Sequence, residues 1–122
     1  MRVKAGTGKS PGATGIRLEK RGTDMATFIG LMNWTEQGIK NVKDSPARVA
    51  EVGVQMGALG VEIKSIFVTM GRYDLVAIVE APSAEAVASA VLGLARQGNI
   101  RTETLQAFPF DEFASDILPN VG

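Results

Sequence analysis

Two short polar segments of the chain hold the residues best suited to chemistry. In the first, Arg72, Tyr73 and Asp74 place a guanidinium, a phenol and a carboxylate side by side. We interpret these three as ligand-binding candidates, in which Tyr73 or Asp74 orients a small polar ligand and Arg72 binds an anion. A structural interpretation stays open, because Gly71 allows an unusual turn dihedral and Asp commonly hydrogen-bonds nearby backbone in turns. Neither interpretation assigns a catalytic residue.

The second segment lies where an apolar stretch ends and a helix is predicted to begin. Asn33 and Trp34 occupy this junction, and Thr35 follows as the predicted N-cap. Backbone N–H groups at the start of a helix attract anions, so Asn33 and Trp34 are further ligand-binding candidates. In the alternative interpretation, Trp34 covers the core or a dimer contact.

The chemistry open to this chain is limited by two missing residue types. Its 122 residues include no Cys and no His. Disulfides, thiolate metal sites and Cys nucleophiles are therefore excluded, as are His general bases, Ser-His-Asp triads, His-ligated haem and most zinc sites. The carboxylates of Glu62, Asp74 and Glu80 match no metal-ligand spacing. We expect neither a cofactor nor a metal.

Charge divides the chain into two parts. Residues 1–24 hold six basic and two acidic side chains, whereas residues 25–122 hold seven basic and eleven acidic ones. The first part is rich in Gly and poor in large apolar residues, so we expect a flexible basic leader. We explain this leader as a start assigned too early or as an added sequence, with Met25 as the natural start. The less favoured alternative is a basic arm that binds nucleic acid or anionic lipid.

Residues 25–122 are expected to form one domain. This part is acidic and shows no helix-turn-helix pattern, so we expect no nucleic-acid partner. No apolar run approaches the roughly 20 residues of a membrane-spanning helix, so we expect no membrane partner and a cytoplasmic location.

The hydrophobic pattern from Met25 onward predicts alternating strands and helices. Residues 26–33 are apolar on both faces, which is typical of a central strand, whereas the mixed polarity of residues 99–108 indicates an edge strand. The predicted order is strand 26–33, helix 36–43, helix 46–59, strand 61–69, strand 73–81, helix 84–97, strand 99–108 and a short helix from 109. This is the β-α-β-β-α-β order of a ferredoxin-like α+β sandwich with a four-stranded antiparallel sheet.

Local signals refine two of these elements. Pro46 interrupts the first helical region, so Ser45 is the predicted N-cap and Pro46 the first residue of a new helix. Three- and four-residue spacing predicts a buried stripe on that helix, formed by Val49, Val52, Met56 and Leu59. Imperfect alternation around Lys64 predicts a β-bulge in the strand that follows.

The predicted sheet has a second apolar face. Residues 26–33 and 73–81 are apolar on both sides, yet two helices cover one side only. An exposed apolar face of this size is rare in a soluble monomer. A second copy of the chain is the simplest cover, so we predict a homodimer packed sheet against sheet.

Five ordered blocks of the sequence carry a resemblance to a known family: residues 35–41, 43–46, 69–76, 78–82 and 98–105. These blocks resemble the GYD domain family, which is named for a Gly-x-Tyr-Asp motif. The resemblance covers residues 25–113 and implies a small bacterial or archaeal protein of the dimeric α+β barrel superfamily. That superfamily includes cofactor-free monooxygenases, dye-decolorising haem enzymes, muconolactone isomerase-like enzymes and ligand-sensing regulatory domains, so the fold alone does not select an activity.

Three functions stay open at this stage. We favour a homo-oligomeric module that binds a small molecule or has a regulatory role, because the candidate sites hold few convergent ionisable groups. The first alternative is a cofactor-independent enzyme, monooxygenase- or isomerase-like, that acts on a small organic compound. This enzyme would use Arg72, Tyr73 and Asp74, with Asn33 or Trp34 as further candidates, and it would need a closed apolar cavity that contains one of these groups. The second alternative is a structural or assembly protein.

Overall fold

The computed structural model describes residues 25–122, and the predictions made for residues 1–24 lie outside that range. Four strands, one short helix and two long helices follow one another in the predicted order. They are β1 (Ala26–Trp34), α1 (Glu36–Lys40), α2 (Ser45–Ala58), β2 (Glu62–Val68), β3 (Leu75–Ala81), α3 (Ala84–Ala95) and β4 (Ile100–Ala107).

The strands form one antiparallel sheet in the order β2-β3-β1-β4. β1 lies in the middle, where it pairs with β3 from Ala26↔Ala81 to Met32↔Leu75 and with β4 on its other side. The ferredoxin-like α+β fold is therefore confirmed, with β1 and β3 central and β4 at an edge. The predicted bulge is also present, between Ile63 and Ser65 of β2.

The hydrophobic core lies between the sheet and the two long helices. Its buried side chains come from β1, from β3, from α3 and from the residue before β2: Phe28, Val61, Val79, Ala81, Val87 and Ala90. Because side chains alternate along a strand, neighbours such as Ile29 and Ile78 point to the opposite face. These two residues are paired across β1 and β3 and remain partly exposed.

A hydroxyl group caps α1, as predicted for Thr35, and another caps α3. Thr35 Oγ1 accepts from Gly38 N (3.1 Å) before α1, and Ser83 Oγ accepts from Ala86 N (3.1 Å) before α3. Each cap satisfies a backbone N–H that has no partner within the helix. In the part of the chain that the structure describes, no helix is both long and apolar enough to cross a membrane.

The start of α2 differs from the prediction. The expected first helix (36–43) ends at Lys40, and a 3-10 turn (Val42–Asp44) leads directly into α2. This turn brings Ser45 into a helical conformation (φ −55°, ψ −43°), so the N-cap position moves to Asp44, whose side chain makes no capping bond. The Ser45 hydroxyl instead accepts a bond from Arg48 Nη2 (3.3 Å).

The predicted buried stripe of α2 is also wrong in part. Val49 is 37% exposed and Leu59 is 43% exposed, and α2 has no fully buried residue. Val49, Val52 and Met56 all border a cavity beneath the helix, and of these three only Met56 also packs against the hydrophobic core.

The chain ends in short helical turns after β4. They span Phe110–Glu112, Phe113–Ile117 and Leu118–Asn120, and the Phe110 and Phe113 rings contact each other at a tilt of 40° with centroids 5.3 Å apart. The predicted short C-terminal helix is thus present as a series of turns.

Gly38 allows α1 to approach the loop that precedes β4. A Cβ atom at this position would collide with the carbonyl oxygen of Asn99 and would lie 3.1 Å from Cδ1 of Trp34. Both neighbours are held in place, because the Asn99 carbonyl accepts from Thr35 N (3.0 Å) and Trp34 belongs to β1. A side chain at Gly38 therefore requires the loop or the helix to move.

We predict that Gly38→Ala lowers the free energy of unfolding by about 1–3 kcal/mol, the usual cost of adding a carbon to a filled space. Gly53→Ala is the matched control, because a Cβ at this α2 position meets nothing within 4 Å. That control should stabilise the chain by about 0.4–1 kcal/mol. Urea unfolding measures both, and a Gly38→Ala variant as stable as the unsubstituted chain would contradict the close approach.

Candidate functional site

Asp74 joins the turn before β3 to the end of β1. Its Oδ2 atom accepts from Trp34 N (3.1 Å) and from Asn33 Nδ2 (3.3 Å). Its backbone N–H donates to the Met32 carbonyl (2.9 Å), and its own carbonyl accepts from Thr69 N (2.8 Å). Asp74 therefore connects three chain segments, and its carboxylate is already engaged by groups of the protein.

The β2–β3 turn places the other residues of this polar segment. Gly71 has φ +101°, a left-handed conformation that glycine adopts without strain, as the structural interpretation expected. The carbonyl of Arg72 accepts a second bond from Asn33 Nδ2 (2.9 Å), while the Arg72 side chain is exposed. The structure thus brings Asn33, Arg72 and Asp74 together at one end of the sheet.

Tyr73 reaches across to β4. Its hydroxyl donates to Glu103 Oε1 (2.8 Å), and this hydrogen bond is the main cause that raises the pKa of Tyr73 above its ordinary value of 10.0. Desolvation and the negative charge of Glu103 add to the increase, and the nearby Arg72 guanidinium partly opposes it. The phenol therefore stays protonated at neutral pH, where it donates a hydrogen bond and does not serve as a base.

A separate cavity of about 120 Å³ lies between the sheet and helices α2 and α3. Trp34 lines this cavity, whereas the other four candidates, Asn33, Arg72, Tyr73 and Asp74, do not. Most of the wall is apolar and comes from the inner sheet face and from the facing sides of the helices. The polar lining residues are Trp34, Ser45, Arg48, Gln97, Asn99, Thr102 and Thr104.

Hydrogen bonds from α1 and its cap fix the loop at one end of this cavity. Thr35 Oγ1 donates to the Gly98 carbonyl (2.6 Å), and Gln37 Nε2 donates to the Gln97 carbonyl (3.1 Å) and to Asn99 Oδ1 (2.9 Å). Gln97 and Asn99 both line the cavity. This end wall is therefore held in place by side chains that precede it by some sixty residues in the sequence.

Sequence reasoning missed Arg48, which is the charged residue of the cavity wall. A signal for it exists, because Arg48 precedes Val52 by four residues and so lies on the same face of α2 as the predicted apolar stripe. Residues 25–122 contain no group of three or more acidic, His or Cys side chains placed to hold a metal ion.

Comparison with known proteins agrees with the resemblance seen in the sequence. The family model of the GYD domain matches residues 28–117, which confirms that prediction. A protein of Thermus thermophilus named "Glutamine synthetase and cystathionine beta-lyase binding protein" is 38% identical over 86 residues, which are 70% of this chain and 90% of the relative. No solved structure matches the chain.

The single tyrosine of the sequence allows its pKa to be measured directly. We predict that the tyrosinate absorbance of the native chain has its midpoint above pH 10.0, because phenolate formation breaks the bond to Glu103 and adds a like charge beside it. Glu103→Gln should lower the midpoint, whereas Glu85→Gln on α3 should leave it unchanged. A midpoint that does not respond to Glu103→Gln would contradict this geometry.

Proposed function

Since the chain belongs to the GYD domain family, we propose that it is a regulatory binding module that docks on a metabolic enzyme and catalyses no reaction of its own. The observation that carries the proposal is the Thermus relative, whose name describes binding to glutamine synthetase and cystathionine beta-lyase. The alignment spans 90% of that relative, so the similarity extends across its domain. We propose the same two enzymes as the partners of this chain.

The polar cluster of the β2–β3 turn, which consists of Arg72, Tyr73, Asp74 and the facing Asn33, supports a structural role in holding the sheet ends in position. The Asp74 carboxylate is occupied by Trp34 N and Asn33 Nδ2, and the Tyr73 pKa is shifted away from neutrality. Acid–base catalysis works best with groups that titrate near the working pH. This cluster fits a turn that holds the sheet ends together better than it fits a reaction centre.

We place the enzyme-binding surface at the free edge of β2 and the turn that follows. Val68 is 72% exposed and Met70 is 98% exposed, and β2 has a paired strand on one side only. Exposed apolar side chains beside an unpaired strand edge are typical of protein contact surfaces. The bulge at Lys64 interrupts the first half of the β2 edge. We therefore confine the contact to the second half of β2 and the turn up to Met70.

We further propose that the module is a homodimer formed through the sheet face opposite the helices. The centre of this face consists of Ile29 and Leu31 on β1 and of Val76 and Ile78 on β3, all partly exposed. Two such faces are self-complementary, as a two-fold interface requires. The β2 edge lies beside this face, so a dimer leaves it accessible to the enzyme.

The enzyme partner is tested with the purified glutamine synthetase and cystathionine beta-lyase of the same organism. We expect the intact chain to bind at least one of them in surface plasmon resonance. Met70→Asp should weaken binding at least about tenfold, a loss of roughly 1.4 kcal/mol, because it adds a charge to an apolar contact. Val54→Asp is the matched control on α2, where the side chain is 76% exposed. Failure to bind either enzyme would refute the proposed function.

The dimer is tested by placing a charge at the centre of the open face. Ile78→Lys should separate the two copies in sedimentation velocity, because an unpaired ammonium would be buried in the interface. Val54→Lys should leave the association state unchanged, and circular dichroism checks that both variants keep the fold. A folded Ile78→Lys variant that remains dimeric would show that another surface joins the copies.

A further inference from the structure

The cavity beneath α2 has a surface that is almost entirely apolar. Its walls come from the inner face of the sheet and from the facing sides of α2 and α3, and they include the core residues Val61 and Val79. Val49 also lines the cavity and is partly exposed, so the cavity extends from the hydrophobic core towards solvent. A molecule inside it would therefore meet hydrocarbon side chains on nearly every side.

The polar side chains around the cavity are bonded to the protein itself. The Arg48 guanidinium donates to the Asn41 carbonyl (3.0 Å) and to Ser45 Oγ (3.3 Å). The side-chain oxygen of Asn99 accepts from Gln37 Nε2 (2.9 Å). Because polar atoms contribute very little of the cavity surface, a ligand would find no charge to pair with there.

A cavity with such a surface favours an apolar occupant over water or an ion. A buried water molecule typically needs about two to four polar partners. Protein interiors are otherwise close-packed, and side chains that border an empty space lose dispersion contacts on that side. An apolar molecule restores these contacts and removes its own surface from water, whereas a charged molecule would lose its hydration without gaining a partner.

We infer that this cavity is a binding site for a small, neutral, apolar organic molecule, which it recognises by shape and dispersion contacts. The cavity measures about 120 Å³, and an apolar protein cavity of about 150 Å³ accommodates benzene. A single six-membered ring or a chain of about six carbons is therefore the expected size. The inference goes beyond enzyme docking, because Val68 and Met70 of the proposed docking edge do not line the cavity.

The methionine side chains provide a direct signal for this binding. Met32 and Met56 line the cavity, whereas Met70 is 98% exposed and does not. The full chain with isotope-labelled methionine methyl groups is titrated with toluene and followed by NMR, since the ring current of a bound aromatic shifts the signals of nearby methyl groups. We expect saturable shifts of Met32 and Met56 with a Kd of about 1 mM or below, and no shift of Met70. Met32→Leu, Met56→Leu and Met70→Leu assign the three signals.

Ligands of similar size test whether the site selects neutral molecules. Benzoate and benzylammonium share the aromatic ring of toluene, and each carries a charge. Both should bind at least about tenfold more weakly than toluene, because the cavity offers no partner to a charge that has lost its hydration. Equal binding of benzoate and toluene would overturn the proposed ligand class.

Val52→Phe tests whether the cavity itself is the site. Val52 lines the cavity from α2, so a larger ring at this position should occupy the space and weaken toluene binding at least about tenfold. Val54→Phe is the matched control on the same helix, because Val54 is 76% exposed and does not line the cavity. A folded Val52→Phe variant that binds toluene as well as the Val54→Phe variant would place the ligand elsewhere and overturn the inference.

The unsubstituted chain decides the matter even where Val52→Phe does not fold. The inference is overturned if neither Met32 nor Met56 shows a saturable shift up to the solubility limit of toluene, or if Met70 shifts as much as they do. Enzyme binding is measured without toluene. A failure there refutes the proposed function and leaves the toluene titrations valid.

Discussion

The two central strands are apolar on both faces, and most of the architecture follows from this constraint. β1 and β3 pair from Ala26↔Ala81 to Met32↔Leu75, so both sheet faces carry hydrophobic side chains along the middle of the sheet. Burying apolar surface is the main favourable contribution to folding, so each face is more stable when other apolar groups pack against it. The helices cover the face of Phe28, and we propose a second copy of the chain as the cover for the face of Ile29.

The helix-side cover is incomplete, and this incompleteness leaves a cavity beneath α2. α3 packs closely and buries Val87 and Ala90, whereas α2 buries no residue fully. The space beneath α2 is bordered by side chains that also pack against the core, such as Met56 and Ile63, and its surface is almost entirely apolar.

The polar turn of residues 71–74 holds the end of the sheet together. Asp74 binds the backbone of β1 and the side chain of Asn33, so it stabilises the sheet end where Trp34 enters the cavity wall. The residue pattern 71–74 is thus connected to the cavity through β1, although its own side chains lie outside it.

Local signals in the sequence predicted the structure correctly where a group a few residues away in the sequence determines it. The caps at Thr35 and Ser83 were predictable, because each hydroxyl binds a backbone N–H three residues later. The N-cap of α2 was not, because the 3-10 turn before it places Ser45 in a helical conformation. Periodicity likewise identified the apolar side of α2, but it carries no information on how closely a helix approaches its sheet. The exposure of Val49 and the position of Arg48 therefore required the tertiary structure.

We propose that a second copy of the chain covers the open sheet face, and sedimentation equilibrium of the unsubstituted chain measures this association. We expect the mass of two 12.9 kDa chains at micromolar concentration, with dissociation only on strong dilution. A single-chain mass at every concentration would contradict the claim, because the apolar side chains of β1 and β3 on that face would then remain in water.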